Sequence, residues 1–318
     1  MRRLLGLVVL LAACTPAAGP PERVTIPRGA SFRVATDSLV AHGLVRWRPW
    51  FTLVARVGGQ DRTLKPGVYD LAPGTAAGEL LRILSAGEFV TVKVTIPEGF
   101  TLLDIAARLA GTLGLPQDSV MAVARDPELR ARFGVEAPSL EGYLAADTYT
   151  LPANVTAREA VVAMATQFAT LWTDELAASA QRQGLGRHAV VTLASIVEGE
   201  ASVDDERPVI AAVYRNRLRI GMPLQADPTV QYAIQQATGA RKPRLLFSDY
   251  DLPSPYNTYQ IPGLPPGPIG APSQASLQAV LAPADVPYLY FVGDGTGRHV
   301  FTRTHAEHVR AAARIRAR

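Results

Sequence analysis

The chain has 318 residues, of which 48% are hydrophobic and 19% charged, so it has the composition of an ordinary globular protein with room for a sizeable core and one or two domains. Its formal net charge of +4 is too small an excess to require nucleic acid as the partner, and none is expected. The single cysteine, Cys14, excludes an internal disulfide, a zinc site built on cysteines and a cysteine nucleophile in the folded part.

Residues 1–13 have the pattern of an export signal. Two arginines precede the apolar stretch Leu4–Leu11, which is far shorter than the roughly 20 residues of a membrane-spanning helix. The stretch runs into Leu-Ala-Ala-Cys, which resembles a bacterial lipobox, so Cys14 is the predicted site of lipid attachment. An ordinary cleavable signal or a short membrane anchor also fits. In each case we expect export. With the lipobox we expect a membrane-anchored envelope protein on the periplasmic side, with residues 14–23 as an extended tether.

A repeated motif predicts the first folded elements. The pattern V-T-I-P-x-G occurs at Val24–Gly29 and again at Val94–Gly99. Each copy is a β-branched strand and a Pro/Gly turn, followed by Ser31 or Thr101 in position to cap a helix. A third, weaker copy runs from Gly67 to Gly87. Each copy therefore predicts a strand, a turn and a helix.

These repeats predict an α+β fold in two parts. Residues 24–94 are interpreted as a small LysM-like βα module, and residues 95–318 as a mixed α+β domain. Modules of this kind often bind glycan, but the same pattern also fits a scaffold with no ligand, and the sequence leaves both open.

The second part is predicted to be mainly helical at first. Apolar residues at helical spacing predict helices within residues 101–133, 158–182, 187–201 and 205–220. Residues 222–273 are rich in Pro, Gly, Asn, Ser and Tyr, and we expect long polar loops with a functional role there. Tyr288–Val292 and His299–Thr302 then predict a hairpin. Its G-x-G-x-G turn lies between strands, which argues against a dinucleotide-binding loop.

Two carboxylates end the otherwise apolar helix over residues 187–201. The residues one turn away from Glu198 are small, so a ligand could approach it. The alternative is that Glu198 and Glu200 are solvated or paired with a nearby arginine. The H-x-x-H at His305–His308 lacks an evident third ligand, so a polar helix face is expected there instead of a zinc site. No metal or cofactor is expected.

Several motifs, in order, resemble one known family. L-E-G-Y-L at 140–144 with D-T-Y at 147–149, and A-S-I-V-E-G-E at 194–200, are similar to motifs of the endolytic murein transglycosylase (YceG-like) family. Further similar segments cover residues 216–218, 224–230, 254–259, 263–269, 288–292 and 299–301. The resemblance extends over nearly all of residues 24–310. Gly199 departs from the pattern, since many members have Lys there, and many have a transmembrane helix in place of the lipobox.

The resemblance implies a lytic enzyme. It would cleave the MurNAc-β-1,4-GlcNAc bond of peptidoglycan and leave a 1,6-anhydro-MurNAc end, with Glu198 as the single acid/base. The expected substrate-binding residues are Gln225, Asp227, Asn257 and Tyr259 on the polar loops, together with Glu141. For the loop residues the alternative is a hydrogen bond that only fixes the loop.

The resemblance also implies partners. These are the glycan strands of peptidoglycan, the membrane through the N-terminal anchor, and peptidoglycan synthases, with a role in terminating nascent strands. Because the long loops suit an open groove, we expect internal cleavage. Two other functions remain open: a non-catalytic peptidoglycan-binding lipoprotein, and a hydrolase that leaves reducing ends.

Overall fold

A computed structural model describes residues 19–317. These residues form two compact units. The first contains the described residues up to Val92 together with Thr150–Asn154, and the second contains Lys93–Tyr149 and the described residues from Val155 onward. Helices combine with small two-stranded sheets, so the predicted α+β class is confirmed. The predicted signal, Cys14 and the start of the tether lie outside the described residues.

The first unit is built on a two-stranded antiparallel sheet. Strand β1 (Glu22–Ile26) pairs with β2 (Gly67–Leu71), with Val24 opposite Tyr69. Alternate residues of both strands point into the core, as the period of a half-buried strand requires. The unit's helices are α1 (Phe32–Ala41), α2 (Arg48–Val57) and α3 (Ala77–Ala86). Its likeness to LysM modules stays a prediction.

Local signals account for the ends of these elements. The Ser31 hydroxyl accepts the backbone N–H of Val34 at the start of α1. Gly87 ends α3 in the left-handed conformation, with φ of 77°. The chain enters the second unit within β3 (Thr91–Ile96), which pairs with β4 (Asp147–Pro152). The three predicted strand–turn–helix repeats are therefore confirmed.

The second unit contains the remaining elements. Its helices are α4 (Leu102–Leu113), α5 (Gln117–Arg125), α6 (Pro127–Arg132), α7 (Ala157–Leu171), α8 (Asp174–Arg182), α9 (Arg187–Glu200), α10 (Arg207–Arg219), α11 (Asp227–Thr238), α12 (Gln274–Leu281) and α13 (His305–Arg316). The predicted hairpin is confirmed as β5 (Tyr290–Gly293) and β6 (His299–Thr302). Within residues 19–317, no helix is both long and apolar enough to cross a membrane.

Helix α9 is the centre of this unit. All residues from Val190 to Val197 are buried, and the helix packs against α10, α11 and α12. A helix that is covered on every side needs apolar or small residues all round, which is what this segment has. After Arg187 and His188 in its first turn, the helix has no ionisable side chain until its last turn, where Glu198 lies.

One prediction about the loops is wrong in part. The 12-residue helix α11 occupies Asp227–Thr238, within the region expected to be polar loop. It has a proline in its first turn and ends at Gly239, which has φ of 78°. Residues 239–273 do lack longer helices and contain one short 3₁₀ turn at Phe247–Asp251.

Candidate active site

Glu198 reaches a cavity from the last turn of α9. Its side chain is only 6% exposed, and it borders a cavity of about 420 Å³, a volume typical of small-molecule sites. The other lining residues are Glu98, Gly99, Phe100, Asp104, Ser195, Gly199, Pro228, Arg241 and Ile269. We call this space the Glu198 cavity.

The start of α12 holds one oxygen of the Glu198 carboxylate. The backbone N–H of Ser273 donates to Oε2 at 2.9 Å, and its hydroxyl donates to the same oxygen. The Ser276 hydroxyl also donates to Oε2, at 2.8 Å. The positive end of the α12 dipole adds to these contacts. No group among residues 19–317 donates to Oε1, so that oxygen is left for a ligand.

A buried arginine completes the environment of Oε2. Nη1 of Arg207 lies 3.0 Å from Oε2 of Glu198, and both side chains are almost fully buried. The guanidinium also donates to Asp204 at 3.0 Å and to the Ser276 hydroxyl at 2.6 Å. The sequence left two alternatives for Glu198, contact with a ligand or a pair with an arginine. In the structure it has the arginine partner and also lines a cavity.

Glu98 is a second carboxylate on the same cavity, and the sequence analysis missed it. Its loop is fixed by two backbone hydrogen bonds of 2.8 Å, from Gly99 N–H to Ala271 and from Ala271 N–H to Phe100. Burial, and then the nearby charge of Glu198, raise the pKa of Glu98. One signal was present in the repeated motif, which has Arg28 in its first copy and Glu98 in its second.

Glu200 faces a different cavity. Two residues along a helix turn the side chain by roughly 200°, so Glu200 points away from Glu198. It borders a second cavity of about 420 Å³, which we call the Glu200 cavity. The Tyr214 hydroxyl donates to Glu200 Oε1 at 2.8 Å. Burial raises the pKa of Glu200 to about 7, with the charge of Asp227 acting in the same direction.

Three of the predicted substrate-binding residues line the Glu200 cavity. They are Gln225, Asp227 and Tyr259. The Tyr259 hydroxyl donates to Asp227 Oδ1 at 2.7 Å. Gln225 has φ of 48°, and its backbone N–H donates to the Thr258 carbonyl at 3.1 Å. The structure therefore brings these three residues together, but around Glu200 and not around Glu198.

Asn257 occupies a different kind of position. It is fully buried, and its amide donates to the carbonyls of Tyr250 and Leu252, both at 2.9 Å. Its Oδ1 accepts the backbone N–H of Tyr259 at 3.0 Å. The expectation of direct sugar contact is corrected here, because the side chain has no exposed surface and fixes the loop that carries Tyr259.

Glu141 is also removed from both cavities. It is buried, and its carboxylate accepts the Leu102 backbone N–H at 2.9 Å and the Tyr232 hydroxyl at 3.1 Å. Burial raises the pKa of Glu141 to about 8. Glu141 lines neither cavity, and both of its carboxylate oxygens accept hydrogen bonds, so it holds the first turn of α4 against α11 instead of a sugar.

Gly199 lies between the two glutamates, where α9 comes close to α11. A Cβ atom there would lie 2.7 Å from Cβ of Pro228, closer than real side-chain contacts allow. The end of α9 and the first turn of α11 therefore approach each other closely at this point. The departure from the family's Lys thus has a packing reason in this chain.

The chain is similar to known proteins over most of its length. The model of the YceG-like family matches residues 24–314. An endolytic murein transglycosylase of Bacillus subtilis is 30% identical over 91% of this chain and 83% of its own length. One from Streptococcus pneumoniae is 29% identical over 91% of this chain, which spans 57% of that relative.

A solved structure agrees with these relatives. The crystal structure of a YceG-like protein from Listeria monocytogenes superposes with a TM-score of 0.63 at 31% identity. The match covers 92% of this chain and 99% of the Listeria chain. Since family, relatives and structure all match over nearly the whole described chain, this protein belongs to the YceG-like family.

Proposed function

We propose that this chain is a peptidoglycan lytic transglycosylase that cleaves the MurNAc-β-1,4-GlcNAc bond with Glu198 as its acid/base. One observation carries the proposal: the Glu198 carboxyl is fixed through Oε2 by Ser273, Ser276 and Arg207, its Oε1 accepts no hydrogen bond from the described residues, and Glu198 lines a cavity. Relatives named endolytic murein transglycosylases support the same reaction.

The reaction then needs only this one carboxyl. Oε1 gives a proton to the glycosidic oxygen as the bond from that oxygen to C1 of MurNAc breaks. The C6 hydroxyl of the same sugar attacks C1 and returns its proton to Oε1. The new C1–O6 bond closes the 1,6-anhydro ring, and no water is consumed. Because nucleophile and electrophile belong to one sugar, the step gains the rate advantage of an intramolecular reaction.

The Glu200 cavity is proposed to hold a neighbouring part of the strand. Asp227 and Gln225 offer hydrogen-bonding groups there, and Tyr259 and Tyr290 offer ring faces on which a sugar can pack. Two cavities on either side of one helix end favour contact with a strand that continues beyond the cut bond. Internal cleavage, and with it a role in terminating nascent strands beside synthases, is therefore part of the proposal.

The products test this function. Purified protein acting on isolated sacculi should release fragments whose mass is one water below that of hydrolysed glycan. Early fragments of intermediate length would support internal cleavage. Reducing ends would instead identify a hydrolase, and binding without any cleavage would identify the non-catalytic lipoprotein.

The anchor is a separate proposal. We infer lipidation of Cys14, on the envelope side of the inner or outer membrane, from the lipobox-like sequence alone. A fatty-acid analogue should label the wild type and not Cys14→Ser. Equal labelling of both would rule out lipidation without affecting the enzymatic proposal.

A further inference from the structure

Helix α2 of the first unit has an exposed apolar face. Trp47, at its N-cap, is 66% exposed, Trp50 52%, Leu53 53% and Val57 81%. At 100° per residue, the last three lie within about 60° of one another around the helix. Exposed large apolar residues are elsewhere scattered over the described chain, so four of them on a single helix mark an interaction surface.

This face is not the one that stabilises the unit. The core side of α2 presents Phe51 and Ala55, which are fully buried. The helix is therefore apolar on two sides, with one side packed and the other open. We call the open side, Trp47, Trp50, Leu53 and Val57, the α2 face.

The charges around the α2 face select an anionic partner. Helix α2 contains two arginines and no acidic residue. Between Arg28 and Lys65 the sequence has seven basic and two acidic residues. Arg46 precedes the helix beside Trp47 and Arg56 flanks Leu53, and both are exposed. Arg48 lies about 160° away from Trp50 around the helix and pairs with Asp37. Clustered basic residues near a membrane attract anionic lipids, and Trp is enriched where lipid meets water.

The predicted anchor holds this unit close to a bilayer. Cys14 precedes the first strand residue, Glu22, by so few positions that even a fully extended chain spans only about 30 Å. A surface on the first unit can therefore reach the bilayer that holds the N-terminus.

We propose that the α2 face docks on an anionic phospholipid bilayer. The two tryptophans lie at the headgroup level, Leu53 and Val57 enter the acyl boundary, and the neighbouring arginines contact phosphates. Docking would hold the first unit against the membrane surface. It goes beyond the proposed function, since it requires nothing of Glu198.

Binding to vesicles tests the proposal. The full chain is sedimented with vesicles of phosphatidylglycerol and phosphatidylcholine, and with vesicles of phosphatidylcholine alone. The variant Trp50→Gln/Leu53→Gln/Val57→Gln should bind anionic vesicles at least about tenfold more weakly than wild type. The matched control Ile220→Gln/Phe247→Gln removes exposed apolar residues of the second unit and should bind as wild type does. All proteins share one N-terminal segment, so differences between them report on the α2 face.

Further measurements distinguish a lipid bilayer from two other possible partners of the α2 face, a glycan strand and a second copy of the chain. Brominated lipids should quench tryptophan emission in wild type, and less so in Trp47→Gln/Trp50→Gln. Unchanged vesicle binding by the triple variant, or binding with no dependence on anionic lipid, overturns the proposal. Loss of sacculus binding in the triple variant would assign the face to glycan, and loss of a dimer in ultracentrifugation would assign it to a second copy. Melting temperatures and glycan cleavage should remain at wild-type values throughout.

Discussion

Glu198 and Glu200 lie two residues apart on α9, but their carboxylates have very different hydrogen-bonding partners. Glu198 receives three hydrogen bonds and an ion pair, all on one oxygen, at the edge of one cavity. Glu200 receives a single tyrosine hydroxyl at the edge of the other cavity. Because successive residues of a helix are rotated by about 100°, the two side chains point in different directions and line different cavities.

The comparison shows that a raised pKa and a positioned carboxylate are different signals. A pKa near 7 would by itself favour Glu200 as a general acid at neutral pH. Burial and the neighbouring charge of Asp227 are enough to raise the pKa, however, and structural groups show such raised values too. Glu198 is the better candidate because its orientation is fixed and one oxygen remains for the substrate.

The largest effect should come from Arg207→Met, which removes the ion pair of Glu198 and no contact of Glu200. Removing one partner of a buried ion pair leaves the other charge uncompensated and typically costs about 3 to 5 kcal/mol. We expect a clear fall in melting temperature and in glycan cleavage. Arg215→Met is the matched control, since Arg215 lies on the same helix and bonds Gln183 and Val280. Equal losses in the two variants would contradict the special place of Arg207.

Gly199→Ala tests the close approach of α9 and α11 at Pro228. Its Cβ would overlap Pro228, and overpacking of this kind costs roughly 2 kcal/mol. Thermal unfolding should show this loss. At Gly111, in α4, a Cβ meets nothing within 4 Å, so Gly111→Ala should be neutral or slightly stabilising. A stable Gly199→Ala protein would mean that the two helices separate easily.

Glu98→Gln tests the second carboxylate of the Glu198 cavity. A negative charge there stabilises the positive charge that develops at C1 of the sugar. We expect kcat to fall about tenfold with an unchanged melting temperature. Glu136→Gln, away from the residues that line this cavity, serves as the control. An unchanged kcat would leave Glu98 without a part in the reaction.

Glu200→Gln should have the smallest effect, seen in how stability depends on pH. Because burial raises the pKa of Glu200 to about 7, its contribution is full below pH 4.5 and is lost as the pH rises through 7. The glutamine side chain of the variant can still accept a hydrogen bond from the Tyr214 hydroxyl, but it does not titrate. Between pH 5 and 8 the melting temperature of wild type should therefore fall more than that of the variant. If the melting temperatures of the two proteins changed equally with pH, the titration of Glu200 would not be the cause of the loss of stability.

The repeated elements were predictable because their signals are local. A β-branched run, a Pro/Gly turn and a capping Ser31 or Thr101 lie within a few residues of each other, and each acts on its own segment. Helix α11 was not predicted. The surrounding segment is rich in loop-forming residues, so Pro228 and Gly239 were interpreted as loop residues, although they mark the start and the end of the helix.

The environment of Glu198 was not predictable in the same way. Its partners come from three distant segments, around Glu98, Arg207 and Ser273, which meet only when α9, α10 and α12 pack. The family motif could identify Glu198 itself. No local pattern indicated which serines would donate to it, or that Gln225 and Tyr259 would lie beside Glu200.

The most direct test of the central claim compares Glu198→Gln with Glu200→Gln on the same sacculi. Each variant replaces a carboxyl by an isosteric amide that cannot exchange a proton. Release of anhydro-ended fragments, measured by mass spectrometry, should fall at least about 100-fold for Glu198→Gln and less than about tenfold for Glu200→Gln. Both proteins should melt cooperatively. Wild-type turnover by Glu198→Gln, together with loss of cleavage in Glu200→Gln, would contradict the assignment and place the acid in the other cavity.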